Sequence, residues 1–266
     1  MAAESSTIGT VGRGLVLPVG LLAVWEIASH SGLVNRQFLP PLEHVATSAW
    51  REFASGELTY ALVTSLRRDL LGFALGSGVG VLVGLLLGLS RVADRIVTTW
   101  FNGLKQIALL AWIPLISLWF GFDETAKVVF IALAAAIPVI LNLVEGIHAT
   151  PAKLIEVGEV FRFNPLQFVL YVYVPSAVPS VLTGLHLALI YAWLATIGAE
   201  YFMAAGPGIG GLIIAGRERF DMDLVMLGIV VVGSVGFAID RGATWLERRL
   251  IPWQRAYRRP TRRPFG

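Results

Sequence analysis

Few residues in this chain are of the types that do chemistry. Cysteine is absent, which removes disulfides, thiolate metal sites and cysteine nucleophiles. The four histidines, His30, His44, His148 and His186, are scattered and read as unpaired, so no metal-ligand cluster is expected. No G-x-S-x-G nucleophile elbow occurs. Lys105, Lys127 and Lys153 are the only lysines, and none follows a glycine as the phosphate-binding loop G-x-x-x-x-G-K-[ST] requires. No catalytic residue and no cofactor bound by this chain are expected, and any energy from ATP must enter through another subunit.

The acids Glu26, Glu145, Glu200 and Asp240 stand in or beside apolar runs, where an ionisable group is by default a functional candidate. All four fall near the ends of those runs, where a carboxylate can instead reach the headgroups. His186 and Glu200 are the candidates for a translocation path, against a packing role for His186 and interfacial placement for Glu200. A proton relay would need acids near the bilayer centre, and none is read there.

What must position these residues is a membrane fold. Of 266 residues, 56% are hydrophobic and only 15% charged, with a mean hydropathy of +0.71. A soluble domain carries about 25% charged residues. Six apolar runs of about 20 residues are long enough to span a bilayer: Gly14–Val34, Leu70–Leu89, Leu104–Phe122, Ala126–Ile147, Ala177–Glu200 and Met222–Trp245. The fold class expected is all-α, polytopic, with the first run a retained helix rather than a cleaved signal. With the N-terminus inside, fourteen Lys and Arg fall on inner segments and seven on outer ones, which predicts an N-in, C-in topology. The division expected is a cytoplasmic N-terminus (1–13), a first span with an external amphipathic segment (14–69), a transmembrane domain (70–247) and a basic tail (248–266). That tail lies at the anionic inner leaflet and contacts lipid. Nothing resembles a basic groove with stacking aromatics, so no nucleic acid is expected.

Smaller signals refine this picture. Asn35–Asp69 reads as a long outer loop holding one amphipathic helix after Pro40-Pro41, with Val45, Ser48, Ala49 and Phe53 on one side, lying on the outer bilayer surface. Gly72, Gly76, Gly80, Gly84 and Gly88 recur every fourth residue along the second span. Such a row lets another helix approach closely, where lipid offers no hydrophobic drive for association. The third and fourth spans form a tight pair around "GFDETAK", with Pro114 and Pro138 inside them. "GLIIAGRERF", after clustered glycines, predicts a short re-entrant or surface helix.

The segment between spans four and five is the most informative. Pro151 starts a helix in which Leu154, Ile155, Val157, Val160 and Phe161 alternate with Lys153, Glu156, Glu159 and Arg162. Asn164-Pro165 breaks it, a second helix begins over Leu166–Val174, and Pro175 and Pro179 open span five. This surface is too polar for lipid and too apolar to lie idle in water, so it calls for a soluble partner.

Here the sequence resembles a known family. Glu156-Val157-Gly158, with Val172-Tyr173-Val174-Pro175 at the right interval, resembles the E-A-A-x3-G-x9-I-x-L-P loop of bacterial ABC-importer permeases. The resemblance implies an ATPase-coupling loop in which Glu156, Val157, Gly158, Glu159, Phe161, Arg162, Asn164, Val172, Val174 and Pro175 dock on the ATP-binding subunit. Arg162 stands where the family has glycine. A glycine there would permit a positive-φ turn, so arginine predicts a more regular helix or a turn moved to Asn164-Pro165. "QFLPPLEHV", "LLGLSRVADRI", "LAWIPLISLWFGFDETAK", "GIGGLI" and "GFAID" are similar to the subfamily that moves aliphatic sulfonates, taurine, nitrate, bicarbonate and some vitamin precursors.

The resemblance implies the transmembrane subunit of an ATP-driven importer in a bacterial inner membrane. Its partners would be a second copy of the chain, two cytoplasmic ATPases carrying ATP and Mg, and an extracytoplasmic solute-binding protein. The solute expected is a small anion or zwitterion, with an aliphatic sulfonate first, taurine next, and nitrate, bicarbonate or a vitamin precursor as alternatives. Two other classes compete: an ion-coupled secondary transporter, which needs midplane acids or an inverted repeat, and a structural membrane protein. Neither midplane acids nor an inverted repeat is found.

Overall fold

A computed structural model describes residues 5–31, 35, 38–90, 92, 95, 103, 104, 106–203 and 206–250. The basic tail from residue 251 lies outside them. Among the described residues the chain is all-helical, with no strand. The helices are α1 (Ser5–His30), α2 (Leu42–Ala54), α3 (Glu57–Leu89), α4 (Ile113–Phe120, after a 3-10 turn Leu109–Trp112), α5 (Glu124–His148) and α6 (Ala152–Val160). They continue with α7 (Pro165–Phe202), α8 (Ile209–Glu218) and α9 (Met222–Leu250). Four of them, α3, α5, α7 and α9, are long and apolar enough to cross a membrane. The run predicted as a third span contains, in its described part, the 12-residue apolar helix Leu109–Phe120.

Two compact units form: residues 1–62 with 207–231, and residues 63–206 with 232–266. In the first, α2 follows Pro40-Pro41 as its sequence predicts. Its Val45 side packs with Leu224 and Leu227 of α9 and with Trp25 of α1, so protein rather than lipid covers that face. The Trp25 indole donates to the Pro40 carbonyl at 2.8 Å, tying Pro40, just ahead of α2, to α1. The "GLIIAGRERF" segment is α8, and Gly216 and Gly228 let it approach α9 through Val225 and Ile213.

The second unit is built on α5. One face of α5 meets α3: a Cβ at Gly72 would overlap Ile131, at Gly76 the Ala132 carbonyl, at Gly80 Val139 and at Gly88 Ile147, and at Gly84 it would touch Leu143 tightly. Large residues on the opposite side of α3, Leu75, Val79, Leu82 and Leu86, are exposed, Leu82 at 70%, while Leu87 packs against Ala136 and Ile140. The helix is thus sided by residue size rather than by polarity, which is the arrangement lipid favours. The other face of α5 meets α7 through equally small residues, Gly146 against Ser180 and Gly184 against Asn142. Ala134, Ala135, Ala188, Ala192, Ala195 and Ala199 join Phe130 and Ile131 in the core.

Two helix boundaries differ from the sequence reading. α3 begins at Glu57, thirteen residues before the predicted span. The charges of Arg67, Arg68 and Asp69 mark a loop for any hydropathy window, yet Arg68 and Asp69 are buried inside the unit and hydrogen-bonded there. α7 runs unbroken through Pro175. A π-helical turn at Val169–Tyr173 widens the backbone one turn ahead of the proline, where its ring would otherwise meet the carbonyl of residue 171.

Candidate functional site

The segment from Pro151 to Pro175 folds as α6, a tight turn and the first turns of α7. α6 ends in a left-handed cap. The Arg162 N–H donates to the Glu159 carbonyl and the Phe163 N–H to the Gly158 carbonyl, both at 2.9 Å, with Arg162 at φ 51°. This corrects the expected regular helix or displaced turn: the backbone keeps the glycine-type turn at position 162, and arginine adopts it. The turn survives because both hydrogen bonds and the aromatic packing that follows over-determine it. Asn164 then caps α7 in a reciprocal box, its Oδ1 accepting from the Gln167 N–H and its own N–H donating to Gln167 Oε1, both at 2.8 Å. Pro165 sits at the first helical position, where a missing N–H costs nothing.

Gly158 is the buried pivot of this segment. A Cβ there would stand 2.7 Å from the Phe168 ring and 3.3 Å from Phe163, so α6 lies directly on α7. Phe163 packs on Phe161, Phe168 and Tyr171 with ring centroids about 6 Å apart. Val172 is buried, while Val174 and Pro175 are exposed. Glu156 and Glu159 are exposed beside an apolar surface of Val157, Val160, Phe161 and Leu166, with Val160 at 80% and Phe161 at 70%.

A second constellation lies at the opposite end of α5 and α7, about 37 Å away along α5 at 1.5 Å per residue. Arg68 of α3, 3% exposed, divides its guanidinium between two acids. Its Nη1 donates to Glu200 Oε1 at 2.7 Å, and its Nε and Nη2 fork onto both oxygens of Glu124. Ser65 donates to both oxygens of Glu200, which is buried rather than placed at an interface. Lys127, also 3% exposed, holds its Nζ 3.6 Å from Glu124. Thr196 donates to Asp69 at 3.3 Å. Apart from Glu200, the sequence reading missed this cluster, because its members are far apart in the chain and sit in segments read as loop or span end.

His186 does not stand alone. Its Nε2 lies 3.0 Å from Asp240 and its Nδ1 3.4 Å from Glu247, tying α7 to α9. The histidines are also not without acids at helical spacing: Glu26 and His30 are one turn apart on α1, 3.4 Å from each other, and Glu43 of α2 lies 3.4 Å from His30. These three offer ligand atoms within 4.8 Å of one another, a spacing that could hold a cation. Glu43 is kept below the usual carboxylate range chiefly by a hydrogen bond from its own backbone N–H. Glu145 lies exposed near the end of α5.

With this geometry in hand, comparison with known proteins is specific. The family model described as "Binding-protein-dependent transport system inner membrane component" matches residues 76–252. The Escherichia coli (strain K12) protein that bears the name aliphatic sulfonates transport permease protein SsuC is 40% identical, over 91% of each chain. The taurine transport system permease protein TauC of the same organism is 31% identical over 91% of this chain and 90% of its own. The bicarbonate transport system permease protein CmpB of Synechocystis is 30% identical over 91% of each. Among solved structures, an amino acid ABC transporter crystallised with histidines gives a TM-score of 0.64 over 76% of this chain and 97% of that one, at 16% identity. The MetNI methionine ABC transporter gives 0.57 over 71% and 95%, at 21% identity, a likeness of fold. The chain therefore belongs to the binding-protein-dependent transport system inner membrane components, and is a multi-pass inner-membrane permease subunit of the ABC transporter class.

Proposed function

We propose that this chain is the pore subunit of an ATP-driven importer of small oxyanions, an aliphatic sulfonate first among them. The observation that carries the reading is the 40% identity, over nine-tenths of both chains, to the protein named for aliphatic sulfonates. Taurine and bicarbonate form the second reading, favoured by relatives at 31% and 30% identity. All three solutes present a small oxyanion to their carrier.

In this reading the chain crosses the membrane six times, N-in and C-in. Two copies form the path, an external solute-binding protein delivers the solute, and two cytoplasmic ATPases supply the energy this chain cannot. The ATPase docks on α6 and the turn that follows it, through Val157, Val160, Phe161 and Leu166, an exposed apolar surface rimmed by Glu156 and Glu159. Gly158 seats α6 on Phe168, and Asn164 caps the start of α7, so a push on α6 is passed to the 38-residue helix that packs along α5. A lever of this kind transmits force only if it is stiff, and the cap and aromatic cluster make it so. ATP-driven closure would then switch the pore between two discrete states.

The test is reconstitution. Vesicles holding the chain with its ATPase and binding protein should take up ethanesulfonate only when ATP is present. ATP-independent uptake would contradict the reading.

A further inference from the structure

We propose that Arg68 and Lys127 form an oxyanion-binding site at the end of the bundle remote from α6, and that the Glu124 carboxylate occupies it in this state as a stand-in for the solute. The proposal deepens the reading above and rests on it, by naming residues that would hold the solute's charged group.

Arg68 and Lys127 are each only 3% exposed, so both cations have been taken out of water. Arg68 satisfies one edge internally: Nη1 donates to Glu200, which Ser65 also holds. Its other edge, Nε and Nη2, is the planar fork that matches any two-oxygen face, whether of a carboxylate, a sulfonate or a bicarbonate. In this structure that fork grips Glu124, and Lys127 Nζ approaches the same carboxylate from 3.6 Å.

The occupant differs from its hosts in one respect: Glu124 is 61% exposed, whereas Arg68 and Lys127 are not. It is the first residue of α5, next to Asp123, whose side chain makes no capping hydrogen bond. Glu124 can therefore swing into water without unfolding the helix behind it. An incoming oxyanion would replace one negative charge by another, so the buried cations stay neutralised throughout and their desolvation is already met. The N-terminus of α5, where Asp123 makes no side-chain cap, adds a favourable field for an anion. Gly206 leaves room at the lysine, since a Cβ there would come within 3.3 Å of Nζ. Glu200 is buried and doubly held, so it remains the permanent counter-ion.

The test titrates the full chain in nanodiscs with ethanesulfonate, ionic strength being held constant with chloride. Glu124→Gln removes the internal competitor and should tighten ethanesulfonate binding about tenfold, while Lys127→Gln and Arg68→Lys should each weaken it about tenfold relative to the native chain. Equal affinity in the native chain and Glu124→Gln, an unchanged affinity in Lys127→Gln, or no binding in any of them overturns the site. Circular dichroism and gel-filtration behaviour report folding. If Glu124→Gln or Arg68→Lys fails to fold, Lys127→Gln decides by the same criterion. Indifferent binding alongside ATP-driven uptake by the native chain removes this site and leaves the importer reading standing. Uptake without ATP removes the importer reading itself.

Discussion

The Phe163 N–H closes on the Gly158 carbonyl at 2.9 Å, and the loop between them forces Arg162 to φ 51°. A left-handed backbone crowds the Cβ of any L-residue and costs about 1 kcal/mol or more. Arg162→Gly is therefore expected to raise the thermal midpoint of the solubilised chain, with a gain of about 1 kcal/mol. Arg162→Val should lower it, since a β-branched side chain tolerates this region worst. Equal midpoints for glycine and valine would contradict the assigned turn.

Gly158 should be less forgiving than its neighbours. Gly158→Ala puts a methyl against the Phe168 ring, which must shift, at a cost of about 1 kcal/mol. Gly158→Leu should prise α6 from α7 and abolish retention of the ATPase during purification. Retention of the ATPase by the leucine variant would show that α6 need not be seated on α7.

Two glycines on α3, two positions apart and so on nearly opposite faces, give an internal control. A Cβ at Gly76 would overlap the Ala132 backbone carbonyl, which cannot move aside, whereas Gly78 faces open space. Gly76→Ala should cost about 3 kcal/mol of stability, and Gly78→Ala should gain about 0.5 kcal/mol from helix propensity alone. Thermal unfolding of both variants checks the pair, and similar shifts would refute the α3–α5 seam.

Much of this organisation is legible in the sequence because it is local. The apolar lengths of α3, α5, α7 and α9 follow from composition, and the i, i+4 glycine row is visible before its partner helix is known. Asn164-Pro165-Leu166-Gln167 writes a helix start in four residues. What stays hidden is non-local. Arg68, Glu124 and Glu200 are separated by 56 and 132 positions along the chain, measured from the arginine, so no window brings them together. Their charges argue for loop and surface when each is read alone, and only mutual pairing makes burial affordable. Arg162 misled for a related reason. Side-chain type predicts φ statistically, but two backbone hydrogen bonds and four aromatic rings outvote it here.

The buried pair is a further check. Glu200→Ala removes the carboxylate to which Arg68 Nη1 and the Ser65 hydroxyl both donate, so the chain should lose about 3 kcal/mol of stability. Thermal melting measures this, and a shift no larger than that of an exposed Glu57→Ala control would contradict the burial.

The central claim is that an ATPase works this permease through α6. The most direct measurement is ATP-dependent ethanesulfonate uptake, with ATPase retention, in the double variant Val157→Asp, Val160→Asp. Both side chains are exposed, so the fold should survive while the docking surface is lost. The expected result is a folded chain that retains neither ATPase nor uptake. Unchanged ATPase retention and uptake in that variant would contradict it.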